Sequence, residues 1–241
     1  YINHRSDDSR NANNVGRFVD SPNESIWTTS WKTYWSIIDR CNLILDKIDN
    51  AEFTNEERRD YIKGEAYMLR AYAYWSLGWQ WGGVPLITKT TPLAEIRKIP
   101  RSTQEVTLGQ AISDYKEAIR LLPEEWGTND IGRATRYAAA GMLGRLYMFQ
   151  NNFEDARTYL KMVVDQESVR YEMEKKYEDC FIDSKDNGKE RVWEVQFIGG
   201  QIGEGNSFIT GFIPENLTLI IFFYVAASTR YIPLIPTPPT S

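Results

Sequence analysis

The sequence predicts a mainly α protein, built from helical hairpins with long loops and a small strand-containing C-terminal segment. Three observations lead there. Apolar residues recur every three or four positions over long stretches, the period of one helix face. Residues 64–78 combine small and aromatic side chains and run straight into Trp81-Gly82-Gly83-Val84-Pro85-Leu86-Ile87, a helix stop followed by an apolar extension. Two apolar stretches around Leu143 and Leu160 are separated by Asn151-Asn152, a turn between two helices.

Each element follows in order. Residues 1–25 are polar, rich in Asn, Asp and Ser, without a period, and read as a long loop. A first helix is predicted over about Trp27–Ile48, where Trp31, Tyr34, Ile38, Cys41, Leu45 and Ile48 form one apolar face. Thr54-Asn55-Glu56-Glu57 is a capping box that starts the next helix, the Thr54 hydroxyl and Glu57 carboxylate each satisfying a free backbone N–H. In that helix Gly64, Ala66, Ala71 and Ala73 let a neighbouring backbone come close, while Tyr67, Tyr72, Tyr74, Trp75 and Trp79 supply buried area. Gly82 and Gly83 tolerate the positive φ that stops a helix, and Pro85 cannot rejoin one.

Residues 82–101, with Pro85, Pro92 and Pro100, form an extended connection. Ser102-Thr103-Gln104-Glu105 repeats the capping pattern, and Leu108, Ile112, Tyr115, Ile119 and Leu122 follow at offsets 0, 4, 7, 11 and 14 until Pro123. Leu143-Gly144-x-x-Tyr147 followed by Ala156-x-x-x-Leu160 then matches the tetratricopeptide helix pair in spacing and residue type. Gly144 allows close approach, Tyr147 fills the groove and Ala156 sits at the crossing.

After about residue 171 the pattern changes. Residues 183–188 read as a turn, Val192-Trp193-Glu194-Val195-Gln196-Phe197 alternates like a strand, and residues 199–211 are Gly-rich. Residues 217–227 are an apolar run of 11. That is too short to cross a bilayer, which needs about 20 residues. A contact tail, a buried strand and an extension from a shifted reading frame are the readings open for it, and the abrupt change of composition after Asn216 favours the last. The expected organisation is a polar loop at 1–25, a tetratricopeptide-like helical domain at 26–182, the loop and strand opening a second half at 183–216, and an atypical tail at 217–241.

Composition excludes several functions. The 241 residues hold 28 basic and 33 acidic side chains, a net charge of -5 without long runs of either sign. That balance argues against nucleic acid and anionic membrane surfaces as partners. Fourteen Tyr, 10 Phe and 8 Trp exceed what a core needs and suggest a ligand or partner surface. Cys41 and Cys180 fit neither a metal spacing nor a disulfide framework. The one histidine, His4, lies in the leading loop, so neither a His-ligated metal site nor a Ser-His-Asp arrangement is expected. Glu124-Glu125 reads as a pair of solvated acids, and Gly199–Gly203 lacks the spacing and Lys-Ser/Thr ending of a phosphate loop. No enzyme, metal or cofactor is expected. No signal peptide opens the chain, which implies either a cytoplasmic protein or a segment beginning after an export signal.

The small-and-aromatic helix with its Gly-Gly-Val-Pro-Leu turn resembles the hallmark of the SusD/RagB family. Further matches are Ser6-Asp7-Asp8, Trp31-x-x-Tyr34-x-x-Ile37-x-x-x-Cys41-Asn42, Gly132-Arg133-Ala134-Thr135 and Glu190-x-x-Trp193 through Phe197. The resemblance covers residues 1–197. Its structural hallmark falls on Arg70, Gly82, Gly83, Pro85, Gly144, Tyr147 and Ala156, with Asn42 bonding a neighbouring backbone group. It implies a non-enzymatic outer-membrane lipoprotein at the cell surface, which captures an oligosaccharide or similar nutrient and hands it to a SusC-like TonB-dependent transporter. Family members are about twice as long and begin with a lipidated Cys. A chain ending before that second half is expected to expose an apolar patch and associate.

Sugars offer C–H faces that stack on Trp and hydroxyls that bond Asp, Asn and Arg. On that ground Asp7, Asp8, Arg10, Asn11, Asn14, Trp27 and Trp81 are the candidate ligand residues, with Asn13 and Arg17 offering further polar groups. Trp79 and Trp81 together form a candidate aromatic platform. The alternatives are a tetratricopeptide-type protein–protein adaptor and, less favoured, a glycan-cleaving enzyme.

Overall fold

Four helices carry the core, and glycine and alanine set how closely they pack. A computed structural model describes residues 21–23, 25–181 and 186–196. The chain divides into two compact units, Trp27–Val195 and a second of residues 1–26 and 196–241; apart from the first residues of α1, the account concerns the former. Its helices are α1 (Ser25–Lys47), α2 (Glu56–Trp81), the single turn α3 (Leu93–Ile96), α4 (Gln104–Leu121), α5 (Arg136–Phe149) and α6 (Phe153–Val164). Short 3₁₀ turns lie at Ile48–Asn50, Thr128–Asp130 and Tyr177–Phe181.

The small residues of α2 do what their size allows. A Cβ on Gly64 would stand 2.8 Å from Leu122 Cγ, and one on Gly78 2.8 Å from Leu108 Cδ2. The reversed order of these pairs shows that α2 and α4 run antiparallel in close contact. Between them Met68, Ala71, Tyr74 and Leu77 of α2 meet Ala111, Tyr115 and Ala118 of α4, and Ala139, Leu143 and Leu146 of α5 close the same core. Each larger buried side chain contributes roughly 1.5–3 kcal/mol relative to exposure. On α4 the buried line is Thr107, Leu108, Ala111, Asp114, Tyr115, Ala118 and Leu121, with Ile112 and Ile119 only half-buried, because the helix is covered by α2 on one side and α5 on the other.

The α5–α6 hairpin has the predicted anatomy. A Cβ on Gly144 would lie 2.6 Å from Leu160 Cγ, Tyr147 stacks on Tyr159 at 5.8 Å and 16°, and Ala156 is 1 % exposed. Asn151 takes φ 58° in the turn, and the Asn152 side chain accepts from Asp155 N to cap α6. Thr135 caps α5 the same way through Ala138 N, after Gly132 turns the chain at φ 90°.

Three expectations change. Asn55, not Thr54, caps α2, because the helix begins at Glu56 and the Asn55 side chain accepts from Glu57 N at 2.9 Å. Thr103, not Ser102, caps α4 by accepting from Val106 N; the Ser102 hydroxyl instead donates to Val84 O. The strand expected at 192–197 is not present over 192–196, and the described residues hold one isolated bridge, Glu167 to Tyr171, and no named strand. An alternating segment forms a strand only beside a partner ladder, and none lies there among the described residues. Trp193 instead packs against the helical core. Phe197, the Gly-rich 199–211 and the 217–241 tail lie outside the described residues.

Candidate functional site

The extended arm after α2 is bolted to the helices by a buried polar network centred on Arg70. Arg70 Nε and Nη2 donate to the two Asp114 carboxylate oxygens, each at 2.8 Å, with the pair 5 % and 3 % exposed. Its Nη1 donates to Asn42 Oδ1 at 2.8 Å and Thr88 O at 2.9 Å. Asn42 in turn donates to Ile87 O at 2.7 Å, as a backbone-bonding role for it requires. The Tyr74 hydroxyl donates to Ile87 O and accepts from Ile87 N, and burial pushes its pKa up to about 12. Burial disfavours the charge on Arg70, but the hydrogen bonds and charge of Asp114 more than offset it and hold the guanidinium above its ordinary range. Each of the three nitrogens of the buried fork thus donates at least one hydrogen bond, and a carboxylate faces the cation, the condition for tolerating a charge away from water.

The Gly-Gly turn is held from the other side. Gly82 takes φ 78°, whereas Gly83 is needed for space: a Cβ there would stand 1.8 Å from Ser102 O. Arg101 donates to Trp81 O at 2.6 Å and Gly83 O at 2.5 Å, placing a cation at the C-terminus of α2. Pro85 follows in the arm, half-buried and outside any helix.

Antiparallel packing gathers rings at this end of the bundle. Trp31 contacts Trp81 at 5.4 Å, Trp81 contacts Tyr34 at 6.3 Å, Tyr34 contacts Tyr72, and Tyr72 contacts Trp75, each at 6.2–6.3 Å. The belt continues from Trp75 to Phe149 at 5.9 Å and from Phe149 to Trp79 at 4.6 Å. Trp27 lies half-buried in the first turn of α1, one turn before Trp31. Trp79 and Trp81 therefore belong to one belt but face different helices, Trp81 towards α1 and Trp79 towards α5. They do not make one flat platform. Asp7, Asp8, Arg10, Asn11 and Asn14 lie outside the described residues.

A second recess, a cleft of about 360 Å³, is lined by Trp126, Arg133, Arg170, Tyr171, Arg191 and Trp193 among others. Its ions are occupied with one another. Arg133 lies over the Trp126 ring at 4.2 Å and pairs with Glu65 and Asp130. Arg170 pairs with Glu124 at 2.5 Å and Glu125 at 2.6 Å, and both acids stay solvent-exposed, as expected, while pairing with a residue 46 and 45 positions on. Arg191 pairs with Asp186 and Glu194. The cleft ties the connection before α5 to the segment after α6.

Hydrogen bonds from Arg58 and then Arg133 hold the Asp130 carboxyl down to about 2. With a folded value below the unfolded one, its contribution to stability is complete above about pH 4 and is lost as pH falls from there to about 2. Asp130→Asn should flatten the stability-against-pH curve in that window alone, measured by urea unfolding at several pH values. The effect should shrink in 0.5 M salt because the pair is exposed.

Among the described residues no group of three or more His, Cys, Asp or Glu could hold a metal ion. Likewise no helix there is long and apolar enough to cross a membrane. Cys41 is buried, and burial raises its thiol to about 11.

A helical-hairpin protein with a polar-bolted arm between its second and fourth helices is the class this architecture defines. The chain belongs to the SusD-like family described as starch-binding proteins associating with the outer membrane, whose profile matches residues 3–148. The SusD-like protein P25 of Formosa agariphila is 28 % identical over 189 residues, covering 77 % of this chain and 36 % of that protein. A laminarin-binding SusD-like protein shares the fold at TM-score 0.78 and 24 % identity, over 85 % of this chain and 47 % of that one. A SusD-like protein from Bacteroides fragilis does so at TM-score 0.73 and 24 % identity, over 82 % and 39 %. The chain thus spans about a third of the length of the curated relatives it matches.

Proposed function

We propose that this chain is the helical part of a non-enzymatic carbohydrate-binding protein of the outer-membrane surface, which passes a captured oligosaccharide to a SusC-like TonB-dependent transporter. The observation that carries the reading is the family match over residues 3–148. Two features support it: relatives bear carbohydrate-binding names, and a continuous belt of rings runs from Trp31 through Trp81, Tyr34, Tyr72 and Trp75 to Phe149 and Trp79. Asp7, Asp8, Arg10, Asn11 and Asn14 remain the polar ligand candidates and Trp27 the ring candidate. Trp81 is the second ring candidate, its ring packed on Trp31 and Tyr34. The adaptor reading is weaker because the arm at 82–103 separates α2 from α4 and interrupts any regular repeat groove.

Calorimetric titration with laminarin and with maltohexaose tests the binding, using the whole chain, Asp7→Asn/Asp8→Asn and Trp27→Ala. Saturable heat from at least one glucan, weakened about tenfold by loss of a stacking ring, is the expected result. No heat from either glucan, or binding untouched by all three substitutions, would count against the reading or its residues respectively. Co-purification of the full-length protein with a TonB-dependent transporter tests the hand-over.

A further inference from the structure

We infer that the corner formed by Trp79 and Phe149 is a second carbohydrate-stacking subsite, shaped for one or two hexose rings of a neutral glucan. The inference rests on the carbohydrate-binding reading above but concerns residues outside the loop and Trp27.

Three observations converge on the corner. Trp79 is 54 % exposed and Phe149 42 %, while Trp75 behind them is 8 % exposed. Isolated exposed apolar residues need no explanation, but two adjoining rings that leave half their surface in water while touching each other do. Their centroids lie 4.6 Å apart with planes tilted by 59°, so the rings meet as two walls and not as a stack that hides both faces. Arg145 lies over the Trp75 ring at 5.4 Å and the Phe149 ring at 5.8 Å, which fixes the rear of the corner.

The recess so enclosed measures about 320 Å³, near the lower end of the roughly 300–1,000 Å³ of ligand clefts. Leu108 and Leu146 add apolar floor, and Gln104, Glu105 and Gln150 are its polar lining. Gln104 Nε2 donates to Gly78 O at 2.9 Å, which holds that side chain in place and leaves its amide oxygen as an acceptor. Glu105 supplies two more acceptor oxygens, and Gln150 supplies an amide able to donate and accept. Ring faces beside amides and a carboxylate match a sugar's C–H face and its hydroxyl edge. Glu105 and the Arg145 guanidinium put opposite charges beside the corner, so it carries no net charge to favour an ionic sugar, and a neutral one is the class that fits.

Indole resonances of the ¹⁵N-labelled 241-residue chain provide the test, with Trp79 assigned by the signal lost in Trp79→Phe. Laminarihexaose and maltohexaose are the probes. The Trp79 indole should shift saturably with one of them. Trp79→Ala should weaken the response at the Gln150 side-chain amide by about tenfold, while Trp79→Tyr, which keeps a ring, should stay within about threefold. Glu105→Ala, an exposed change that spares the rings, should weaken it with only a small drop in Tm from the lost acid in the first turn of α4. If a hexaose binds with Trp79 unmoved, the corner is not a subsite and the broader function stands. If Trp79→Ala leaves sugar binding alone but abolishes self-association in sedimentation, the corner is a protein contact and the assignment is wrong. If neither hexaose binds anywhere on the chain, both readings fall.

Discussion

Arg70→Leu should lower stability by about 3–5 kcal/mol, the cost of stranding one member of a buried ion pair. Asp114 is 2 % exposed and would keep its charge or take up a proton, with no cation left to face it. Asn42 Oδ1 and Thr88 O would lose their donor in the same step. The arm at 84–89 would keep its bonds from Asn42 and Tyr74 to Ile87 but lose the one from Arg70 to Thr88, so the damage should extend beyond the pair. Because whole domains are stable by only about 5–15 kcal/mol, the variant should sit close to its unfolding transition at 37 °C. The double variant Arg70→Leu/Asp114→Leu should regain part of the loss, since an apolar pair of similar volume leaves no uncompensated charge. Guanidinium unfolding of the three proteins reads this directly. A single-variant loss below about 1 kcal/mol would mean that water reaches Asp114 and the network is not sealed.

The second large effect concerns glycine and separates space from conformation. Gly83→Ala should cost about 3 kcal/mol or more, the upper range for overpacking. The atom its Cβ meets at 1.8 Å is a backbone oxygen, with Ser102 C and Thr103 C at 2.7 and 2.8 Å. Neither turn can retreat, since Val84 O accepts from Ser102 N and Val84 N donates to the Thr107 hydroxyl. Gly144→Ala meets the Leu160 side chain at 2.6 Å and should cost less, about 1–3 kcal/mol, because a leucine branch can swing partly aside. Gly109→Ala has nothing within 4 Å and should stabilise by about 0.5–1 kcal/mol through helix propensity alone. Urea midpoints in the order Gly109→Ala above the parent, then Gly144→Ala, then Gly83→Ala would establish the distinction. Equal losses at 83 and 144 would refute it.

Local sequence was sufficient for whatever depends on neighbours within a few turns. The 3.6-residue period located α1, α4 and the α5–α6 hairpin, because one face of each must leave water whatever it packs against. Gly144, Tyr147 and Ala156 were legible for the same reason: their spacing encodes a contact between consecutive helices. Arg70, Gly82, Gly83 and Pro85 were recognisable as a hallmark, and Asn42 as a backbone-bonding residue. Composition by itself argued against a metal site with several histidine ligands, since the sequence holds one histidine, His4.

What crossed long stretches of chain was decided by the tertiary structure. Asp114 looks in sequence like any acid on an amphipathic helix; only α2 packed against α4 brings it to Arg70, 44 residues away. Glu124 and Glu125 likewise acquire meaning from Arg170, and Ser102 from Val84. The caps moved by one position because a helix start is fixed by where the packed helix must begin, and Asn55 or Thr103 caps as well as its neighbour. The alternation at 192–196 failed as a strand because backbone pairing needs a second strand that local pattern cannot supply. The rings of Trp79 and Trp81 sit two residues apart, yet a helix turns about 100° per residue, so the fold sends one to α5 and the other to α1. Periodicity is a property of a segment and can be read from it, whereas a buried charge or an exposed ring is defined by what lies opposite, which exists only once the chain has closed on itself.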